Sequence, residues 1–400
     1  MKAGWQTSTL GDVLAVIRNG VNCKQDKSGN GDRISRIESI SDATFDLDKV
    51  GYAELSEREK EKNRLHRGDI LFSHINSAIH VGKTAVFDCD EPVYHGVNLL
   101  LMRPKEVVTS AYLDHALKYL FQSGYWRGVC KQSVNQASVN QQDISRVEIR
   151  YPQSLAEQQR IVGLLDEAFE GLATAKANAE KNLQNARALF ESHLQSVFTQ
   201  RGAGWVDSTI GAEIKFIDYR GKTPVKTTSG VRLITAKNVK MGYLQETPME
   251  FIAAESYKGW MTRGLPQNGD VLFTTEAPLA NVAQLDTDER VAFAQRIIIM
   301  QPNAARLDST FLKYLLLSQP VQQRIRTKGT GATVQGIKAS LLKLIEISFP
   351  KSLATQEQIV SKLDDLREET QRLARLYERK HAALEALKKS LLHQAFTGQL

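Results

Sequence analysis

Two segments of the chain combine a near-absence of glycine and proline with a helical spacing of apolar residues. They run from about 164 to 198 and from 353 to 396. Apolar or small side chains recur at steps of three and four residues, first at Leu165, Ala168, Leu172, Ala175, Ala179, Leu183, Ala186, Phe190, Leu194 and Val197, and then at Leu363, Leu366, Leu373, Tyr377, Leu384, Leu387 and Leu391. This spacing predicts two long amphipathic helices with a coiled-coil seam.

The sequence leaves two possibilities for what each long helix packs against. Each helix can pack on its own domain, or the two can pack on each other. The two helices have equal lengths and equivalent positions in the sequence, which favours packing of one helix on the other. About 40 helical residues make a rod of roughly 60 Å.

The remainder of the chain alternates short apolar runs with turns, which predicts mixed α/β domains. Gly-Asp turns precede the strands predicted at 70–72 and 271–273, and β-rich runs cover 97–102 and 296–300. Short apolar helices are predicted over 112–121 and 311–317, and the sequence from Ser56 to Glu59 is typical of a capping box at the start of a polar helix.

The whole pattern occurs twice, at offsets of 198 to 201 residues. The matched pairs are Gly4-Trp5 with Gly204-Trp205, Gly68-Asp69 with Gly269-Asp270, Met102-Arg103-Pro104 with Met300-Gln301-Pro302, Leu165-Asp166 with Leu363-Asp364, and Phe198-Thr199 with Phe396-Thr397. Collinear matches of this kind indicate a tandem duplication. The predicted parts are a domain at 1–150, a helix at 151–200, a second domain at 201–348 and a second helix at 349–400, with an internal pseudo-two-fold axis through the helix pair.

Composition narrows the class of protein. Three widely spaced cysteines, no signal-peptide pattern and no run of about 18 apolar residues lead us to expect a cytoplasmic protein with no membrane partner. The net charge is +7, and residues 201–348 carry most of it, with 19 Lys and Arg against 13 Asp and Glu. A basic balance is compatible with a nucleic-acid partner.

Motifs for catalysis are missing from the sequence. No proline follows Asn or Asp, so the Asn/Asp-Pro-Pro-aromatic loop of adenine methyltransferases is absent, and no Pro-Asp nuclease pattern occurs. The histidines have no zinc-binding spacing, and Gly82-Lys83-Thr84 and Gly221-Lys222-Thr223 lack the first glycine of a P-loop. We therefore expect no catalytic residues, no metal site and no cofactor in this chain.

Polar segments at equivalent places in the two repeats are candidates for DNA contact. In the second repeat they are 218–224 and 324–335, where bases suit phosphates and Thr or Gln suits base edges. The candidates there are Tyr219, Arg220, Lys222, Thr223, Lys328, Thr330, Thr333 and Gln335. In the first repeat an amide-rich stretch supplies Lys131, Gln132, Ser133, Asn135 and Gln136, and Asn and Gln suit adenine. A solvated loop without function is the alternative for each segment.

The combination of these motifs resembles the specificity subunit of type I restriction–modification enzymes. Residues 68–77 with 81–85 are similar to the central motif of a target-recognition domain in that family. Residues 221–224 and 329–334 are similar to loops near the start and the end of such a domain. Residues 155–162 and 353–360 resemble the beginnings of the family's spacer helices, and 393–400 resembles its usual C-terminal sequence. In the first repeat Asn19-Gly20-Val21-Asn22 stands where the second has Gly-Lys-Thr-Pro. By this resemblance Asn19, Asn22, His74, Asn76 and Lys83 join the DNA-binding candidates.

The resemblance implies two α/β target-recognition domains separated by an antiparallel coiled coil. Each domain would read one half of a split target in double-stranded DNA. Two methyltransferase subunits using S-adenosylmethionine and two motor–nuclease subunits using ATP and Mg would supply catalysis. Two other hypotheses remain open: a catalytic nuclease or methyltransferase, and a coiled-coil scaffold without nucleic acid.

Overall fold

The computed structural model describes residues 4–27, 29–133, 136–219, 223–331 and 335–400. They form two compact units, which we call unit 1 (1–180 and 379–400) and unit 2 (181–378). Four DNA-binding candidates lie outside the described residues: Asn135, Arg220, Lys222 and Thr333.

Unit 1 consists of short strands and helices followed by the start of one long helix and the end of another. The elements of its first part are β1 (Trp5–Thr9), α1 (Leu10–Val13), β2 (Leu14–Asn19), β3 (Asp32–Ile34), β4 (Gly51–Ala53), α2 (Glu57–Asn63), β5 (Ile70–Phe72), β6 (Ile75–Asn76), β7 (Thr84–Val86), β8 (Leu100–Pro104), α3 (Ser110–Gln122), α4 (Tyr125–Val129), β9 (Lys131–Ser133), β10 (Gln136–Ser138), α5 (Gln141–Ser145) and β11 (Glu148–Pro152). The long helix α6 (Leu155–Thr199) follows.

Unit 2 repeats this order with small differences. Its elements are β12 (Trp205–Thr209), α7 (Ile210–Glu213), β13 (Ile214–Asp218), β14 (Val231–Ile234), β15 (Glu250–Ile252), α8 (Tyr257–Trp260), β16 (Val271–Thr274), β17 (Val282–Gln284), β18 (Val291–Phe293), β19 (Ile297–Pro302), α9 (Ser309–Leu317), α10 (Gln319–Lys328), α11 (Ala339–Lys343), β20 (Glu346–Pro350) and the long helix α12 (Leu353–Thr397). The tandem repeat of a mixed α/β domain and a long helix is thus confirmed.

Each unit is built around a four-stranded antiparallel sheet. The strand order is β2-β8-β5-β7 in unit 1 and β13-β19-β16-β17 in unit 2. The first strand of each unit also pairs with the last strand before the long helix, β1 with β11 and β12 with β20. This pairing closes the domain where the helix begins.

The unbroken apolar triplets after the Gly-Asp turns become central strands that are buried on both faces. Successive side chains of a strand point to opposite faces. Ile70 and Phe72 of β5 accordingly join the core under α3, whereas Leu71 joins a second core on the other face. Unit 2 repeats the division with Val271 and Phe273 on one side and Leu272 on the other.

Local predictions differ from the structure at two places. Strand β8 begins at Leu100 rather than at residue 97, and β19 begins at Ile297, so Arg296 precedes the strand. Residues 324–328 were expected on a flexible loop, but they form the end of α10. The apolar residues Val321 and Ile325 are four apart and both buried, and this helical spacing was overlooked beside the charged residues.

The long helices α6 and α12 have 45 residues each and pack antiparallel. Within unit 1, Lys176 of α6 pairs with Glu385 of α12 at 2.7 Å, and Glu180 pairs with His381 at 3.2 Å. Within unit 2, Arg187 pairs with Glu378 at 2.8 Å. The partner number on α12 falls as the number on α6 rises, which is the signature of antiparallel helices. This arrangement confirms the predicted coiled coil.

The predicted seam is correct at every position except one. All ten positions on α6 are buried or half-buried, but Leu387 of α12 is 48% exposed. Its neighbour Lys388 faces the seam instead, with Nζ 5.0 Å from the centre of the Phe169 ring. A long aliphatic stem with a charged head can cover an aromatic face and still reach water.

The two long helices also contribute to both domain cores. In unit 1, Leu165 of α6 and the α12 residues Leu392 and Phe396 belong to the main core cluster. In unit 2 the roles are reversed, with Leu363 of α12 and Leu194 and Phe198 of α6. Each unit is therefore completed by the beginning of one long helix and the end of the other. In the part of the chain that the structure describes, no helix has an apolar stretch able to cross a bilayer.

Candidate nucleic-acid interface

A small three-stranded sheet in unit 1 brings two separate candidate segments together. The amide-rich stretch forms the hairpin β9–β10, and β10 pairs with β6, so that Ala137 lies opposite Asn76. The sequence pattern predicts no strand in this stretch. Its strands place a row of polar side chains in solvent: Lys131, Gln132, Ser133 and Gln136 are all exposed.

Asn19 links the end of β2 to this surface. Its side-chain amide nitrogen donates to the carbonyl of Val97 at 3.2 Å and lies 3.2 Å from His74 Nε2. Its side-chain oxygen accepts from Gln141 Nε2 at 2.6 Å. Asn19 is exposed and held on three sides, so it is a preorganised amide in a polar cluster. We call Asn19, Gln132, Gln136 and Gln141 the amide cluster of unit 1.

His74 supports the amide cluster and is not exposed to a ligand. Its side chain is 6% exposed, and burial lowers its pKa from 6.5 to about 4. The imidazole is therefore neutral at physiological pH. The expected direct DNA contact by His74 conflicts with this burial, and its Nε2 lies 3.2 Å from the Asn19 amide nitrogen instead.

The other DNA-binding candidates of unit 1 differ in how far their side chains are exposed. Lys83 is half-buried and donates to the Ser41 carbonyl at 2.9 Å, whereas Asn22 is exposed. The half-buried Asn76 forms local bonds, donating to Ser73 Oγ at 3.2 Å and accepting from the Ser77 amide at 2.8 Å. The Gly-Lys-Thr sequence has a packing explanation, because a Cβ on Gly82 would lie 2.1 Å from the Trp126 ring.

In unit 2 the candidate Thr223 lies beside basic residues that sequence reasoning missed. Thr223 is exposed and lines a cleft of about 170 Å³ together with Lys226, Lys237 and Arg296. One carboxylate, Glu250, also lines the cleft and pairs with Lys226 at 2.8 Å. We call this the basic cleft of unit 2. Each base is isolated in the sequence from the others, so no local charge pattern indicates the group; the fold brings together residues up to 70 positions apart.

The second candidate loop of unit 2 is closed by backbone hydrogen bonds. The Thr330 amide donates to the Gly336 carbonyl at 2.8 Å, and the Gly336 amide donates back at 2.9 Å. Thr330 and Gln335 are exposed, as is Lys328 at the end of α10. Gly336 also forms a β-bridge with Glu276, which ties this loop to the segment after β16.

Tyr219 packs inside unit 2 and does not reach solvent. It is 4% exposed, its hydroxyl donates to the Gly264 carbonyl at 2.6 Å, and the same oxygen accepts from the Arg263 amide at 3.0 Å. The ring stacks on Trp260 with a centroid distance of 6.1 Å. The predicted DNA contact by Tyr219 is therefore corrected to a structural role.

The amide cluster and the closed loop of unit 2 stand at equivalent places in the repeat. In unit 1 the Val139 amide donates to the His74 carbonyl at 2.9 Å, and in unit 2 the Ile337 amide donates to the Thr275 carbonyl at 2.9 Å. One backbone scaffold thus carries different polar side chains in the two units: Lys131, Gln132 and Gln136 in unit 1, and Lys328, Thr330 and Gln335 in unit 2. Among the described residues no group of three His, Cys, Asp or Glu side chains could hold a metal ion.

Comparison with known proteins assigns the class. A family model for the type I restriction modification DNA specificity domain matches residues 2–183 and 221–378. The type I restriction enzyme MjaX specificity subunit of Methanocaldococcus jannaschii is 30% identical across 99% of this chain and 93% of its own length. The EcoKI specificity subunit of Escherichia coli is 27% identical across 50% of this chain and 43% of its own.

Solved structures show the same fold across the whole chain. A protein from a study of assembly and conformational transition in the type I R–M system superposes with a TM-score of 0.75, covering 100% of this chain and 99% of its own, at 19% identity. The HsdS subunit from Thermoanaerobacter tengcongensis gives 0.63 at 18% identity, with coverage of 100% and 98%. The chain belongs to the family of type I restriction–modification DNA specificity subunits. DNA recognition is the role that follows from this membership.

Proposed function

We propose that this chain reads a two-part target in double-stranded DNA, one part with the amide cluster of unit 1 and the other with the basic cleft and closed loop of unit 2. The observation that carries the proposal is that the polar hairpin of unit 1 and the closed loop of unit 2 stand at equivalent places on a duplicated scaffold. Amides suit adenine and bases suit phosphate or guanine, so the two units are expected to prefer different sequences.

The proposal extends to the partners and to the division of labour. Two methyltransferase subunits and two restriction–translocase subunits would assemble on this chain, because its relatives are named as specificity subunits of type I restriction enzymes. S-adenosylmethionine, ATP and Mg would be used by those partners. The specificity subunit itself would be non-catalytic and cytoplasmic, and it would position the partners for adenine methylation or restriction.

A selection experiment tests this function. The full-length chain, alone and with its methyltransferase partner, is incubated with a library of random DNA duplexes, and bound molecules are sequenced. We expect enrichment of two short specific segments separated by a nonspecific gap. Sequencing of methylated adenines in cells with and without the gene should identify the same motif. Binding without any sequence preference would contradict the proposal and favour a scaffold.

A matched pair of variants links one half of the motif to unit 1. Gln136→Ala removes an exposed amide of the cluster, and Gln153→Ala removes an exposed amide just before α6. We expect the first to change the preference in one half-site only and the second to leave the motif intact. An unchanged motif with Gln136→Ala would exclude that side chain as a reader.

A further inference from the structure

Arg296 occupies a distinctive position in the basic cleft of unit 2. It directly precedes the buried strand β19, and its backbone carbonyl accepts from the Thr275 amide at 3.0 Å. Its side chain is 50% exposed, and Nε lies 2.9 Å from Glu276 Oε1. The backbone is therefore fixed beside the central sheet, while the half-exposed side chain pairs with Glu276 and the residue lines the cleft.

The residue that pairs with Arg296 is bound through its backbone to the candidate DNA loop. Glu276 forms a β-bridge with Gly336, which closes the loop containing Thr330 and Gln335. The ion pair thus lies next to that loop, and Arg296 also lines the cleft together with Thr223. Arg296 is the basic residue that connects the two candidate segments of this unit.

The ion pair is not explained by stability. Both side chains are about half exposed, and an exposed ion pair contributes little to the free energy of folding. In unit 1 the residue equivalent to Glu276 is Ile75, and the residue equivalent to Arg296 is Asn98. The second equivalence is counted from Leu100 and Ile298, which occupy matching strand positions. The fold of unit 1 therefore forms without this ion pair. A feature specific to one unit fits a role in sequence preference better than a role in the shared scaffold.

The chemistry of the pair indicates which base it reads. The contact with Glu276 engages Nε, and the two terminal nitrogens carry four further N–H donors in a planar fork. Such a fork matches O6 and N7 of guanine in the major groove. Glu276 neutralises the local charge, which reduces nonspecific attraction to phosphate, whereas Lys237 on the same wall is exposed and suited to the backbone.

We propose that Arg296 reads a guanine in the half-site bound by unit 2 and that Glu276 is its positioning residue. This assignment rests on the proposed function. Unit 1, with Asn98 at the equivalent place, is then expected to prefer a different base there.

The test repeats the duplex selection with the full-length chain and its methyltransferase partner. Arg296→Lys keeps the charge but removes the fork, so the preference for guanine should fall by about tenfold at one position of one half-site. Affinity for nonspecific DNA and its salt dependence should stay unchanged. Glu276→Gln should weaken the preference at the same position by a smaller factor.

The control is Arg306→Lys. Arg306 is 55% exposed and pairs with Glu213 at 3.0 Å, so it matches Arg296 in type and exposure, but it lies outside the cleft. The DNA motif selected by Arg306→Lys should equal the motif selected by the parent protein. A parent that selects no motif overturns the proposed function and this assignment with it. A parental motif that Arg296→Lys leaves unchanged, or weakens equally at all positions, overturns the assignment alone.

Discussion

Two histidines of unit 1 are held neutral by burial, and this makes the unit sensitive to acid. Burial lowers the pKa of His74 and of His95 from 6.5 to about 4. Between these values the unfolded chain binds more protons than the folded chain, so the free energy of unfolding decreases as the pH falls from 6.5 to 4. The slope is at most about 1.4 kcal/mol per pH unit for each histidine.

Calorimetry at pH 7.5, 6 and 5 measures this effect. The variant His74→Thr, which carries the residue found at the equivalent position 275, should lose part of the pH dependence. His193→Gln in unit 2 is the control and should retain all of it. A melting temperature of unit 1 that is constant from pH 7.5 to 5 would contradict the prediction.

Lys328 is an exposed base beside the closed loop and is suited to contact a phosphate. It is exposed at the end of α10, next to Gly329. Lys328→Ala should weaken binding to all sequences and reduce the slope of log affinity against log salt by about 0.9. Lys351→Ala, an exposed lysine after β20, is the control. Binding titrations at several salt concentrations measure this slope. If the slope of log affinity against log salt is the same for Lys328→Ala and the parent, Lys328 has a structural role and does not contact a phosphate.

At the scale of single residues, the sequence identifies polar segments but not their exposure. Tyr219 was chosen for its basic neighbours, but its burial depends on Gly264 and Trp260, which lie more than 40 residues away. Arg296 was missed for the converse reason, since its acidic partner is 20 positions distant in the sequence. Tertiary contacts of this kind leave no local pattern.

At the scale of elements, the parts predicted best are those with a strong apolar pattern. The long helices follow from the 3.6-residue spacing, and the central strands follow from unbroken apolar runs after Gly-Asp turns; both are confirmed. The hairpin β9–β10 was not, because its exposed faces are polar and only Ala137 is fully buried. A short edge hairpin without an apolar face resembles a loop in sequence.

The end of α12 is expected to stabilise unit 1, although it is distant in sequence from most of that unit. Phe396 is 6% exposed and contacts Tyr112 and Tyr119, with ring centroids at 5.3 and 5.7 Å. Phe396→Ala should lower the free energy of unfolding of unit 1 by about 3–5 kcal/mol. Chemical denaturation monitored in each unit measures the change.

The control for Phe396 comes from the same helix. Leu387 is 48% exposed, so Leu387→Ala should change stability by no more than about 0.5 kcal/mol. If Phe396→Ala destabilised unit 2 and left unit 1 unchanged, the assignment of the helix end to the core of unit 1 would be wrong.

At the scale of the whole molecule, the helix pair is expected to set the spacing of the split target. Deleting one heptad from each helix, residues 173–179 with 371–377, shortens the rod by about 10 Å. Both deletions leave the core residues Leu165, Leu363 and Leu392 in place. We expect the nonspecific gap to shorten while both half-sites keep their bases.

Duplex selection with the deletion protein checks this expectation. A control that deletes 173–179 alone disturbs the match between the two helices and should reduce stability. A double-deletion protein that folds, binds and still prefers the parental gap would show that the helices do not determine the spacing.

The division of the chain between the units also has a consequence for its synthesis on the ribosome. Unit 2 is one continuous segment, 181–378, whereas unit 1 needs residues 379–400 to complete its core. The domain that is translated first therefore finishes folding last, with part of its apolar surface uncovered until the final helical turns emerge. Synthesis that stops near residue 378 would yield a complete unit 2 attached to an unfinished unit 1, and the uncovered surface of unit 1 would be open to proteolysis.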